Sequence, residues 1–217
     1  MTLTETLLEY NQQSRARIPA EALAVMDAAT KSLLNKKISS KSIKEGDTLS
    51  TAILTNARGA KVDLNQLLDK GPLVISFYRG GWCPYCNFEL RALQNILPEI
   101  EGLGANLVAI TPETPDSSLT TTEKNELSFE VLTDNNNDYA KELGLVFEMP
   151  EALKEVYISF GIDVEKHNGN TNFELPMPAT LVIGTNKKIK YAFVSEDYTK
   201  RAEIAPILDA LKQSQHI

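Results

Sequence analysis

Leu73-Val74-Ile75-Ser76-Phe77-Tyr78 leads through Arg79-Gly80-Gly81-Trp82 into Cys83-Pro84-Tyr85-Cys86. The first six residues are an apolar run with the length of a buried strand. The next four form a turn. From Pro84 onward the apolar residues follow helical spacing, with Cys86, Leu90, Leu93 and Leu97 on one stripe. Both cysteines of the 217-residue chain lie in this one tetrapeptide. A C-x-x-C between a strand and a helix is the sequence sign of a redox dithiol. Two thiols on one first turn can close into a disulfide and reopen.

Helix-end physics favours a reactive thiol here. With Cys83 as N-cap, Pro84 takes N1, where a missing N–H costs nothing. The Cys83 sulfur is expected to accept from the free N–H groups of the first turn and to face the positive end of the helix dipole. Both effects favour the thiolate, as at other helix N-termini. Cys86 heads the apolar stripe and is expected to be the more buried and less reactive thiol. Two inert core cysteines have no reason to bracket Pro-Tyr at a helix start. A structural zinc site wants four ligands, and the other soft candidates, His167 and His216, read as solvated surface residues.

Composition sets the frame. With 42% hydrophobic and 24% charged residues the chain reads as one ordinary globular domain with additions. A net charge of −7 argues against nucleic acid or an anionic membrane as partner. The first ten residues carry neither a positive n-region nor an apolar h-region, and no apolar run reaches the roughly 20 residues of a membrane span. The expected setting is the reducing cytoplasm, where such a pair is catalytic or redox-sensing rather than a permanent staple. No glycine loop cradles phosphate, and no metal, flavin or nucleotide cofactor is implied.

Strands and helices alternate along the chain. Residues 1–40 read as two amphipathic helices, with Leu3, Leu7 and Leu8 on one stripe, Leu23, Met26, Leu33 and Leu34 on another, and Pro19 between. Short strands are expected at 52–55 and 60–62, then the central strand at 73–78. The C-x-x-C helix is expected to run to about Glu101 with a kink at Pro98. Further strands fall at 107–110 and 129–132, with helices near 139–143 and 151–160 and a polar loop at 167–172. A hairpin at 180–183 and 189–194 precedes a last helix at 201–212. The N-terminal extension, residues 1–45, stands apart from a redox domain at 46–217. Its apolar stripes are expected to cover the outside of that domain or a second subunit rather than Cys83.

A βαβ unit, then ββα, with C-x-x-C after the first strand of the motif, resembles the thioredoxin fold: α/β, a central mixed sheet flanked by helices, here with an N-terminal helical extension. The segment from Phe77 to Cys86 is similar to the active-site segment of peroxiredoxin-like members of the alkyl hydroperoxide reductase/thiol-specific antioxidant (AhpC/TSA) family. So are Val108-Ala109-Ile110-Thr111-Pro112-Glu113, Leu175-Pro176-Met177-Pro178-Ala179-Thr180 and Asp197-Tyr198-Thr199-Lys200-Arg201. The resemblance implies a thiol-dependent peroxidase with Cys83 and Cys86 as the catalytic pair. Arg79, Trp82, Pro84, Tyr85, Pro178 and Thr180 would support the site. It implies that Pro178 is a cis-proline facing the dithiol, whose bond leaves backbone groups free for a substrate chain. Thioredoxin or glutathione would supply the reducing thiol, and a homodimer is compatible.

The departures matter as much. The family's Pro-x-x-x-Thr/Ser-x-x-Cys pattern, laid on this chain, puts proline on Arg79, threonine on Cys83 and the peroxidatic cysteine on Cys86. Proline and threonine are both replaced. Arg79 and Arg201 are the candidates to take over peroxide polarisation. Cys-Pro-Tyr-Cys is itself similar to the glutaredoxin tetrapeptide. Peroxide reduction is therefore the leading reading, and a protein disulfide reductase or a non-catalytic redox sensor the alternatives. The capping argument favours Cys83 as nucleophile and the alignment favours Cys86.

Overall fold

The computed structural model describes residues 1–214. Thr2 opens the chain with a reciprocal cap: its hydroxyl accepts the Glu5 N–H and the Glu5 carboxylate accepts the Thr2 N–H. The first helix, α1 (Leu3–Arg15), follows, then α2 (Ala20–Lys36) after Pro19. Next come β1 (Ile53–Asn56), β2 (Lys61–Asp63), α3 (Leu64–Leu68) and β3 (Leu73–Phe77). The dithiol helix is split into α4 (Pro84–Asn95) and α5 (Leu97–Gly102). Ile96 leaves helical geometry just ahead of Pro98, whose ring admits no N–H bond to the preceding turn. The chain continues with β4 (Asn106–Thr111), α6 (Pro115–Lys124), β5 (Glu130–Thr133), α7 (Asp138–Glu142), β6 (Val146–Glu148), α8 (Glu151–Ser159) and α9 (Val164–Asn168). It ends with β7 (Glu174–Pro176), β8 (Ala179–Ile183), β9 (Ile189–Val194) and α10 (Ile204–Ser214).

Seven strands form one mixed sheet in the order β2-β1-β5-β4-β3-β8-β9. β3 pairs parallel to β4, and β4 parallel to β5, while β3–β8 and β8–β9 are antiparallel. Every residue of β3 is buried, because helices cover both faces. Val74 and Tyr78 pack with α1, α4, α5 and α10 on one face. Leu73, Ile75 and Phe77 pack with α3 and α7 on the other.

The short β6–β7 ribbon lies in stretches where the sequence suggests no element, and α9 runs into the expected 167–172 loop. Three-residue strands are too short to show a period. A third cluster joins Ala29 and Leu33 of α2 to Leu153 and Tyr157 of α8 and Leu175 of β7. Leu8 and Leu34 of the expected stripes face outward instead, 45% and 47% exposed. No described helix is long and apolar enough to cross a membrane. His216 lies outside the described residues.

Candidate active site

β3 delivers the dithiol at its C-terminal end. The Tyr78 N–H still pairs with the Ile110 carbonyl of β4, and the chain then turns away through Gly80 and Gly81. Both glycines are required by close approach. A Cβ on Gly81 would stand 1.9 Å from Thr121 Oγ1, and one on Gly80 2.2 Å from the Trp82 indole nitrogen. The turn is held by a buried carboxylate: Glu113 Oε2 accepts the Gly81 N–H at 3.0 Å, and its other oxygen lies 2.9 Å from His167 Nδ1. His167 is thus tied to the site loop rather than simply solvated, with its side chain 34% exposed.

Cys83 is the N-cap of α4 in extended geometry, with Pro84 at N1. Its sulfur accepts no N–H from the first turn, contrary to the capping expectation. It turns instead toward two guanidinium groups. Arg79 Nη2 donates to Cys83 Sγ at 3.3 Å. Arg201 Nη2 lies 3.2 Å from Cys86 Sγ and 4.0 Å from Cys83 Sγ. The expected contrast in burial is also absent: Cys83 is 1% exposed and Cys86 0%. What distinguishes the thiols is charge and hydrogen bonding. Burial pushes the Cys83 thiol up, but donation from Cys86 and the charges of Arg79 and Arg201 outweigh it and hold Cys83 well below the ordinary thiol range. Burial pushes Cys86 up, and its bond and proximity to Cys83 push it further, against the two arginines. Both cysteines are free thiols.

Each arginine is fixed from behind. Arg79 Nη1 donates to the Tyr157 hydroxyl at 2.9 Å, and its guanidinium carbon lies 4.5 Å from the Tyr198 ring centroid and 5.1 Å from that of Trp82. Trp82 in turn meets Tyr157 edge to face at 5.5 Å. Arg201 Nε is 2.7 Å from Glu89 Oε2, and Nη1 donates to the carbonyls of Lys200 and Tyr198. The other Glu89 oxygen accepts from Thr180 Oγ1 at 2.7 Å. Burial raises the Glu89 carboxyl, while Arg201 and Thr180 favour its charged form. Burial raises the hydroxyls of Tyr157 and Tyr198 as well, so they stay neutral.

Of the residues singled out in the sequence, Arg79, Trp82, Cys83 and Cys86 meet directly, and Thr180 reaches the pair through Glu89 and Arg201. Tyr85 turns the other way. Its hydroxyl donates to Asn11 of α1 at 3.1 Å, and its ring meets Tyr10 and Tyr198 edge to face. Pro84 is exposed beside it. Pro178 departs from expectation: none of the described peptide bonds is cis, so the bond before it is trans. Its carbonyl accepts the Ser195 N–H at 3.2 Å, and Ala179 beside it pairs with both Phe77 and Val194. The Pro178 carbonyl is thus already paired within the protein rather than open to a substrate chain. Sequence reasoning missed Glu89, Glu113, Tyr157 and Tyr198. Glu113 and Tyr198 lay inside segments similar to the family without being singled out, and Glu89 carried a signal as the acid three residues after Cys86 on an otherwise apolar face.

The AhpC/TSA family model matches residues 46–192. The chain belongs to that family. Among its relatives, chloroplastic peroxiredoxin Q of Sedum lineare is 26% identical over 118 residues, covering 54% of this chain and 63% of that protein. The putative peroxiredoxin bcp of Buchnera aphidicola subsp. Schizaphis graminum is 28% identical over 103 residues, covering 48% and 65%. The chain thus spans a little under two thirds of the length of these two relatives. The structure is similar to peroxidoxin BcpB of Mycobacterium tuberculosis, with a TM-score of 0.62 at 20% identity, covering 79% of this chain and 97% of that one. That likeness establishes a shared fold. The extension before residue 46 lies outside the family match.

Proposed function

We propose that the chain is a thiol-dependent peroxidase in which Cys83 is the nucleophile and Cys86 resolves it. The observation that carries this reading is a charge count. Two guanidiniums, Arg79 and Arg201, are buried at the pair, against the single carboxylate Glu89. Buried charges are paired, and a Cys83 thiolate brings the group to neutrality. Cys83 Sγ attacks one peroxide oxygen, the O–O bond breaks, and the departing oxygen takes a proton to leave as water or an alcohol. Cys83 is then a sulfenic acid. Cys86 Sγ attacks that sulfur, expelling water and closing an intramolecular disulfide. External thiol, from thioredoxin or a small thiol such as glutathione, returns two electrons and resets the pair.

Burial of both sulfurs and the occupied Pro178 carbonyl favour a small peroxide over a protein disulfide as substrate. A dithiol of this kind suits a reducing compartment, and we propose the cytoplasm. The deciding experiment supplies one equivalent of hydrogen peroxide, counts thiols, and traps sulfenic acid by mass in the Cys86→Ser variant. The reading expects two thiols to fall to none in the parent and sulfenic acid on Cys83 in the variant. Turnover of a model protein disulfide without peroxide turnover would replace it with the reductase reading.

A further inference from the structure

A cavity of about 290 Å3 opens beside the dithiol, where α1 meets the start of α4. Tyr10, Trp82, Pro84 and Phe88 form its apolar walls, and Arg91 and Lys124 supply its charge. Tyr10 comes from the extension and lies 5.1 Å from Phe88, ring to ring, so the wall is built partly from outside the family match. The chain carries 29 acidic residues against 22 basic ones, yet no carboxylate lines this cavity. Arg91 Nε is occupied by Asn125 Oδ1 at 2.9 Å. Among the described residues neither the Arg91 Nη groups nor Lys124 Nζ has an ion-pair partner. Two unpaired cations at an aromatic hollow make a place for an anion. The cavity has the scale of a small-molecule site, and it sits against the two residues that flank Cys83 in the chain.

We propose that this cavity is the subsite of a small thiol bearing carboxylates, the reductant that reopens the Cys83–Cys86 disulfide. The proposal rests on the reading that the pair cycles through that disulfide. A folded protein reductant is disfavoured because both sulfurs are buried, whereas a small thiol held by its carboxylates in this cavity would approach the disulfide beside Trp82 and Pro84, two of the cavity's walls. The ligand thiolate bonds to Cys83 Sγ as the Cys83–Cys86 bond breaks. The electron pair leaves on Cys86, which lies beside Arg201 and then takes a proton. A second ligand thiolate attacks the ligand sulfur of the mixed disulfide and frees the Cys83 thiolate. Two ligand molecules leave as their own disulfide, and the protein has gained two electrons.

The test forms the disulfide with diamide, so that it does not depend on peroxide turnover. Reduction by glutathione and by uncharged 2-mercaptoethanol is then followed by thiol appearance. In the Arg91→Gln/Lys124→Gln variant the ratio of the glutathione rate to the mercaptoethanol rate is expected to fall about five- to tenfold, as two exposed charge contacts are lost. Arg91→Lys alone should restore most of the ratio lost in Arg91→Gln. S-methylglutathione, which cannot reduce, should change the fluorescence of the single tryptophan, Trp82, in the parent and not in the double variant. An unchanged rate ratio in the double variant, or no fluorescence response in the parent, overturns the subsite. Peroxide failing to oxidise a protein whose diamide disulfide shows the expected ratio would overturn the peroxidase reading and leave the subsite standing.

Discussion

Replacing Arg79 by Gln removes the guanidinium that lies 3.3 Å from Cys83 Sγ while keeping a polar side chain. Two unit charges at that distance interact by about 5 kcal/mol at an effective dielectric of 20. The guanidinium charge is delocalised, Arg201 remains 4.0 Å from the same sulfur, and water can solvate a thiolate in the vacated space. About half of that energy is then lost, equivalent to a fall of roughly fiftyfold to a hundredfold in thiolate population. The sign follows from the direction of the shift. Cys83 is held below the ordinary thiol range by donation from Cys86 and by the two arginines, against burial. Removing Arg79 moves it up. The deficit should widen as the pH falls and close as the pH rises past the ordinary thiol value of about 8.5. Iodoacetamide alkylation of Cys83 in a Cys86→Ser background, read by mass across pH, measures it. Arg79→Lys keeps the charge but not the two-pronged contact with Tyr157 and Cys83, so its deficit should be smaller. An Arg79→Gln profile that overlays the parent would refute the electrostatic argument, and faster labelling of Cys86 than Cys83 in the parent at pH 6 would reverse the assignment.

Glu113→Gln should cost about 1–3 kcal/mol in thermal unfolding and slow peroxide reaction, because it removes the charged acceptor shared by the Gly81 N–H and His167. Gly81→Ala should cost roughly 1–3 kcal/mol, since its Cβ would fall 1.9 Å from Thr121 Oγ1, and Thr121→Ala in the same chain should recover part of the loss in melting temperature. Peroxide-treated protein should run as a monomer on a non-reducing gel with its thiols consumed, because the two sulfurs share one helical turn. A covalent dimer as the main product would contradict that outcome.

The sheet and its dithiol were legible because β3 is buried on both faces, so 73–78 stands out as unbroken apolar sequence, and because Pro84 marks a helix start. The direction of the Cys83 sulfur was not legible. Capping rules describe a helix end in isolation, whereas here two long side chains, one 118 residues away, compete for the sulfur and win by charge. Arg201 was legible as a candidate for peroxide polarisation, but its contacts were not. Nothing local to it says that Glu89 orients its Nε and the Tyr198 carbonyl its Nη1. Tyr157 sits on α8 at ordinary amphipathic spacing, where a core tyrosine and a clamp on Arg79 have the same pattern. Such residues are set by tertiary contact, which a periodicity of 3.6 does not encode.

The extension is where sequence and structure part most clearly, and it yields the last expectation. Apolar stripes in residues 1–45 implied a cover lying away from the dithiol, and hence a truncation that keeps its reactivity. In the structure α1 lies on α4. Leu3 and Leu7 share a cluster with Cys83 and Cys86, Asn11 accepts from Tyr85, and the Thr4 N–H reaches Glu203 near the last helix. α2 packs on α8, the helix whose Tyr157 holds Arg79. Each helix packs on a helix that carries part of the site. Burying a leucine contributes about 1.5–3 kcal/mol, and a domain of this kind is stable by only about 5–15 kcal/mol. Losing Leu3, Leu7 and Leu33 together therefore removes a large share of the margin and uncovers the ring faces of Tyr85 and Phe88. We propose that residues 1–45 fold with the redox domain as one cooperative unit. A chain starting at Glu45 should melt at a markedly lower temperature, and its Cys83 should lose selectivity over Cys86 in alkylation at pH 6. A truncated chain with the parent melting temperature and the parent labelling pattern would show that the extension is an independent appendage.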